Sequence, residues 1–180
     1  MEVGSSCRSA MSTGIEIRLA RASDAPDIAW MSKAYIEQGL PHRWTEGRVA
    51  AAIRSSSTNV AVARKDAVLL GFGIMEYSDL EALLLLLAVH PDGRRKGLGS
   101  AIVEWLERVA RTAGIARIFV EARSDNEAAL SLYRKRGYEQ TALALGMYSG
   151  MDDGICLEKT FSGGLRDRPD DASSPHRDSA

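Results

Sequence analysis

Between an apolar run and an amphipathic stretch, the chain carries His90-Pro91-Asp92-Gly93-Arg94-Arg95-Lys96-Gly97-Leu98-Gly99-Ser100. A helix start presents unpaired N–H groups and the positive end of its dipole, so a basic, glycine-rich approach to one is a cradle for an anion, and phosphate is the natural ligand. Gly97 and Gly99 would let the backbone come close without a Cβ in the way, and Arg94, Arg95 and Lys96 would surround the anion with charge. Without the glycines, the same three basic residues would be only a solvated loop. Two well-known phosphate loops do not fit. Gly97 is followed by Leu98 and Gly99 rather than by Lys-Ser/Thr, and Ile102 stands where a dinucleotide fingerprint wants a third Gly or Ala.

The elements that must position this loop are legible from periodicity. Ile15–Leu19 alternates apolar and charged residues, as a strand would. Ser23 is expected to cap a helix with Pro26 in its first turns, Ile28, Met31 and Tyr35 on its buried stripe and Gly39 closing it. Thr45 caps a second, shorter helix carrying Val49, Ala52 and Ile53, ended by the run Ser55 to Thr58. Residues 59–64 and 68–77 form a hairpin through Lys65-Asp66-Ala67, and residues 83–89, with five consecutive leucines, form a buried strand stopped by His90-Pro91. From Gly99, residues Ile102, Trp105, Leu106, Val109, Ala110 and Ala113 share a helical face, with Glu104, Glu107, Arg108 and Arg111 opposite. Residues 115–121 form the next strand. Asp125 or Asn126 then opens a helix carrying Ala129, Leu132 and Tyr133, which Gly137 terminates. Two last strands, 139–145 and 155–161, pair across a long turn holding Asp152-Asp153-Gly154. The order β, α, α, β, β, β, α, β, α, β, β gives an α/β domain with a mixed sheet.

Composition narrows the class. The chain has 180 residues, 45% hydrophobic and 26% charged, enough for one domain with a substantial core. Its 23 basic and 24 acidic residues leave a net charge of -1, so no global field marks a nucleic-acid or membrane-surface binder, and no aromatics interleave with Arg94 to Lys96. The most apolar window, residues 82–89, is too short to span a bilayer, which takes about 20 residues. Two cysteines, Cys7 and Cys156, fit a reduced, cytoplasmic setting, and His42, His90 and His176 make no metal site with them. Residues 1–14 are expected to be a disordered leader, with Met1 or Met11 as the start, residues 15–161 the folded domain and residues 162–180 a solvated tail.

Val89, the loop Arg94-x-x-Gly97-x-Gly99 and the helix after it resemble the acetyl-CoA-binding motif of the GNAT N-acetyltransferases. Val120-Glu121-Ala122-Arg123-Ser124-Asp125-Asn126, then Ala129, Leu132-Tyr133 and Gly137-Tyr138, is similar to the second signature of that family's ribosomal-protein alanine N-acetyltransferase branch. The spacing of the two signatures also matches, and the likeness covers Ile17 to Phe161. It implies a mixed, mostly antiparallel central sheet flanked by helices and splayed between its fourth and fifth strands. It also implies direct acetyl transfer from acetyl-CoA to a primary amine in a ternary complex, without a metal.

Carried over residue by residue, the resemblance has backbone groups of Leu87, Ala88 and Val89 pairing with the pantetheine arm. Amides of Arg95, Lys96, Gly97, Leu98, Gly99 and Ser100 hold the pyrophosphate beside Arg94. Asn126 hydrogen-bonds the pantetheine, Tyr133 points its hydroxyl at the thioester sulfur, and Glu121 matches the branch's general base. Each has a plainer alternative: Tyr133 packing in the core, Asn126 only capping a helix, Glu121 pairing with Arg117 or Arg123. Glu76, Asp79 and Glu81 are competing bases. Glu81 lies nearest to where many relatives place theirs, since Leu83 occupies the commonest family position. The thioester is already activated, so no nucleophilic side chain is required, and Cys156 is a small core residue.

The acceptor amine is expected to meet the loop with Leu40, Pro41, His42, Arg43 and Trp44 and the turn at 146–154, where Asp152 and Asp153 suit a cation. Protein N-terminus, lysine, polyamine and aminoglycoside all remain open as acceptors, as do monomer and homodimer. A non-catalytic acetyl-CoA-binding or sensor module of the same fold is the alternative function.

Overall fold

In the computed structural model, residues 14–39, 41–148 and 152–161 are described. The expected leader (apart from Gly14) and tail, and Leu40, lie outside them. Strand β1 (Ile15–Leu19) pairs antiparallel with β2 (Thr58–Lys65), which forms the expected hairpin with β3 (Val68–Ser78) around a left-handed Asp66 at φ +52°. Strand β4 (Glu81–Val89) continues the meander beside β3. Helix α3 (Leu98–Thr112) then crosses over to β5 (Arg117–Arg123), parallel to β4, and α4 (Glu127–Lys135) leads to the closing hairpin β6 (Glu139–Tyr148) and β7 (Asp152–Thr160). The sheet order is β1-β2-β3-β4-β5-β7-β6, with β4–β5 its one parallel pair among the described strands, so the expected mixed, mostly antiparallel sheet is what forms.

Alternation sends the two sides of each strand into two cores. Val60, Val62, Phe72, Ile74 and Ala88 meet α1 (Ala25–Tyr35) and α2 (Glu46–Arg54), chiefly through Ile28, Met31 and Val49. Met75, Leu84, Ile118, Val120 and Leu157 meet α3 and α4 on the other face, through Ile102, Leu106, Leu130 and Tyr133.

Three expectations change. Ser23 makes no cap. A 3-10 turn at Ala22–Asp24 precedes α1, and it is Asp24, one residue later and 2% exposed, that reaches back. Its carboxylate accepts from the Arg21 N–H at 2.7 Å, Arg18 Nη1 at 2.8 Å and Arg64 Nε at 2.9 Å, tying the helix start to β1 and β2. Nor do Asp152-Asp153-Gly154 sit in a long turn. Asp152 already pairs with Tyr148, Gly154 pairs with both Arg123 and Ala144, and the Asp153 carbonyl accepts from the Ser124 N–H at 2.9 Å. Ladder bonds on both sides outweigh the turn preference of that tripeptide. Residues 149–151, between the two strands, lie outside the described residues. Finally, Glu107 is not on a solvated face: it is 5% exposed and held by Arg136 and Lys159.

Burial pulls the Asp24 pKa up, but its hydrogen bonds from Arg18 and the Arg21 N–H and the charges of Arg18 and Arg64 outweigh this and leave the carboxyl below its ordinary value. The stabilisation is therefore present at neutral pH and is lost as pH falls below about 4 toward the lowered value. Asp24→Asn is expected to destabilise by about 2 to 3 kcal/mol at pH 7, because it strands two arginines, and to lose less further stability in acid than the wild type. Urea melts at pH 7 and pH 3.5 check this.

Candidate functional site

Strands β4 and β5 pair from Glu81–Arg117 only as far as Leu84–Val120. Beyond that point β4 stays with β3, Leu87 opposite Gly73 and Val89 opposite Gly71, while β5 stays with β7, Glu121 opposite Cys156 and Arg123 opposite Gly154. The two strands part, and each leaves one backbone edge facing the gap, where an extended ligand can hydrogen-bond like another strand.

The β4 end of the gap runs into the basic loop. Arg94 donates from Nε to the Val89 carbonyl at 3.0 Å, and its guanidinium lies 5.3 Å from the Tyr35 ring centre, so this side chain braces the loop against the strand. Arg95 (φ +57°) and Gly97 (φ +77°) are left-handed, which brings the chain sharply into α3. Gly97 is the N-cap and offers no side-chain oxygen, no acid stands in the first turn, and the first helical bond runs from the Ala101 N–H to the Gly97 carbonyl at 3.0 Å. The first amides of α3 thus point out of an uncapped helix end. A Cβ on Gly97 would meet nothing within 4 Å. At Gly99 a second demand appears: a Cβ there would lie 3.0 Å from Leu132 Cδ1, so its bareness also serves the packing of α4 on α3.

Asn126 caps α4, its Oδ1 accepting from the Ala129 N–H at 3.1 Å, which leaves its amide NH2. Tyr133 is 4% exposed, on the same face of α4 as Leu130, with its ring edge-on to Tyr138 at 5.6 Å between centres. It shares the apolar cluster of Val120 and Ala122, beneath the strand that borders the gap.

A cavity of about 400 Å³ opens on the sheet where the gap begins, with Glu76, Glu81 and Glu121 around Leu83, Phe119 and Cys156. The fold thus gathers three of the candidate bases at one cavity; Asp79 is in the turn before β4 and does not line it. Arg117, which sequence offered as a partner for Glu121, instead pairs with Glu81 and approaches Glu158 at 4.0 Å, and Arg123 pairs with Asp125. No ion pair holds Glu121 among the described residues. Burial, and then the Glu121 carboxylate beside it, push the Cys156 thiol up, so the sulfur stays protonated and is no nucleophile. Among the described residues no cluster of His, Cys, Asp and Glu is placed to hold a metal.

Sequence reasoning missed Glu37. It is 8% exposed and accepts from the Arg43 N–H at 2.7 Å, the Trp44 N–H at 3.1 Å and Ser32 Oγ at 3.3 Å, with His42 Nδ1 at 2.7 Å. Burial raises its pKa, but those donors, led by the Arg43 N–H and His42, outweigh it and leave the carboxyl below its usual range. One buried carboxylate therefore shapes the loop between α1 and α2. Trp44, expected to face the acceptor, is buried with Arg48 4.4 Å from its ring centre and anchors α2 instead. Nothing in the local sequence separates Glu37 from a solvated loop residue.

Comparison with known proteins agrees with this geometry. The model of the acetyltransferase (GNAT) family matches residues 22–138. The [ribosomal protein bS18]-alanine N-acetyltransferase of Escherichia coli strain K12 is 34% identical over 85 residues, a segment that is 46% of this chain and 57% of that protein. The chain thus spans little more than half the length of that curated relative. The crystal structure of the ribosomal-protein-S18-alanine N-acetyltransferase from Escherichia coli superimposes with a TM-score of 0.69 at 27% identity, covering 82% of this chain and 94% of the other. YncA from Salmonella typhimurium, solved with its cofactor acetyl-CoA, gives 0.71 at 20% identity over 84% and 96%, a likeness of fold.

Proposed function

Because the chain belongs to the acetyltransferase (GNAT) family, we propose that it moves acetyl from acetyl-CoA directly to a primary amine in a ternary complex. The observation that carries this reading is the parting of β4 and β5 beside an uncapped α3, with the carboxylate-lined cavity at the point where they separate. One end suits a pyrophosphate, the gap suits an extended pantetheine arm, and the cavity suits an amine.

The residues divide the work. The amides from Arg95 to Ser100 hold the pyrophosphate, helped by the helix dipole. Backbone groups of Leu87, Ala88 and Val89 pair with the arm, and the Asn126 NH2 group is its side-chain donor. An alkyl amine is mostly protonated at neutral pH and is not nucleophilic in that form, so a base must take its proton directly or through water. Glu121 is that base: it matches the branch's base position and, like Glu76, lines the cavity with no ion-pair partner among the described residues, while Glu81, held by Arg117, is the reserve. Tyr133 donates a hydrogen bond to the departing thiolate. The relatives' activity on a ribosomal protein makes an N-terminal alanine the first acceptor to try, and a cytoplasmic setting is part of the same reading.

The test is thiol release from acetyl-CoA with a panel of amines: peptides beginning with alanine, lysine peptides, polyamines and aminoglycosides. A first step is thermal: binding to the folded state adds RT ln(1 + [L]/Kd), about 2.7 kcal/mol at a hundredfold excess over Kd, so the melting temperature should rise by several degrees. No rise at millimolar acetyl-CoA would sink the reading. A rise without thiol release from any amine would point to the non-catalytic binding module.

A further inference from the structure

One face of α3 presents Ser100, Glu104 and Glu107 in a line, the i, i+4, i+7 spacing that puts side chains above one another. Arg136, just past the end of α4, lies along that line. Its Nε and Nη2 grip Glu107 at 3.3 and 2.6 Å, and its Nη1 donates to Ser100 Oγ at 3.0 Å and approaches Glu104 at 3.6 Å. Lys159 of β7 closes the other side of Glu107 at 3.0 Å. Two cations thus face two carboxylates, and the Arg136 side chain is only 15% exposed. With its charge spent inside the fold, Arg136 does not act as a free phosphate-binding cation. What it delivers to the α3 start is one oriented N–H.

That N–H has a chemical consequence. A serine hydroxyl holds one hydrogen and two acceptor lone pairs. When Oγ accepts from Arg136, the hydroxyl hydrogen is turned away from the guanidinium and left for another acceptor. Ser100 is the third residue of α3, in the first turn, among the amides that face the open helix end. The same residue also closes the helix that carries Tyr133: the Arg136 N–H donates to the Tyr133 carbonyl at 3.0 Å.

Resting on the acetyltransferase reading, we propose that Arg136 is a positioning residue. It holds Ser100 so that its hydroxyl donates to the pyrophosphate of acetyl-CoA, and it ties the phosphate end of the site to the helix bearing Tyr133. No sequence pattern announces this link, because Ser100 and Arg136 are 36 residues apart.

Calorimetric titration with CoA tests it in four proteins: wild type, Ser100→Ala, Arg136→Met and the double variant. A hydrogen bond to a charged group supports an expectation of about tenfold weaker CoA binding in Ser100→Ala. Arg136→Met should show a similar loss and the double variant no more, because both changes remove one donor. Acetyl-pantetheine, which lacks the pyrophosphate, should keep its KM in Ser100→Ala. If Arg136→Met fails to fold, Arg136→Lys replaces it, since lysine can keep a charge on Glu107 but has no fork to span both partners. Wild-type affinity for CoA in Ser100→Ala, an equal loss for acetyl-pantetheine, or fully additive losses would each overturn the proposal. If the wild type binds no CoA, the acetyltransferase reading itself fails.

Discussion

Gly97→Glu is expected to abolish the acetyl-CoA-induced rise in melting temperature and to leave the free protein folded. Gly97 sits at φ +77° as the N-cap of α3, where a Cβ would meet no neighbour within 4 Å. The conformational penalty of an L-residue in that region is about 1 to 2 kcal/mol. A carboxylate at a helix start returns about 0.3 to 1 kcal/mol through the dipole, so the net loss of stability is small. For the ligand the balance runs the other way. The new carboxylate occupies the place and matches the sign of the pyrophosphate, and its repulsion adds to the loss of open helix amides. Gly97→Ala separates the two effects. It bears the same backbone penalty without the charge and should weaken binding while retaining it. Calorimetry with CoA on both variants is the measurement, and wild-type affinity in Gly97→Glu would place the pyrophosphate away from α3.

The contrast between Gly97 and Gly99 shows what sequence can and cannot say about such a site. The motif Arg94-x-x-Gly97-x-Gly99 announces an anion loop, but it does not tell that Gly99 must also stay bare for the packing. That demand rests on Leu132, 33 residues further along. Local signals behaved well where the interaction is local: Thr45 accepts from the Arg48 N–H, Asn126 caps α4, and Gly97, Gly114 and Gly137 take positive φ at helix ends. They failed where a distant partner decides. Asp24 and Glu107 are carboxylates on segments whose pattern offers polar, solvated positions, and they are buried because Arg18, Arg64, Arg136 and Lys159 arrive from other elements. Asp152-Asp153-Gly154 has turn composition, yet β5 and β6 claim it from both sides. At the site, the resemblance matched Glu121 to the branch's general base and left Glu76, Asp79 and Glu81 as competitors, Glu81 first among them. The Arg117–Glu81 pair, invisible in sequence, is what favours Glu121 over Glu81.

That ranking can be tested together with Tyr133, because the two proposed roles leave different kinetic marks. An ordinary tyrosine has a pKa of about 10 and a thiol about 8.5, so complete proton transfer to the departing thiolate would be uphill by about 2 kcal/mol. Hydrogen-bond donation to the charge growing on sulfur requires no such transfer. Tyr133→Phe keeps the ring that packs against Tyr138 and the Val120–Ala122 cluster, so fold and acetyl-CoA affinity should change little. Its kcat should fall about 10²-fold at every pH, toward the low end of acid catalysis. Glu121→Gln should instead alter the shape of the pH profile. Without its base the enzyme depends on amine already deprotonated by solvent, so the rate should fall by about 10² or more at pH 7 and recover part of the loss as pH rises toward the amine pKa. Cys156 supplies an internal readout. The Glu121 carboxylate contributes to keeping its thiol high, and removing that charge should make Cys156 titrate at lower pH, measurable by its alkylation rate. A shifted Cys156 with an unaltered rate profile would show that the charge at 121 had been removed without consequence for catalysis. The base would then be Glu81, released from Arg117 when the amine binds, or Glu76 across Leu83 from it.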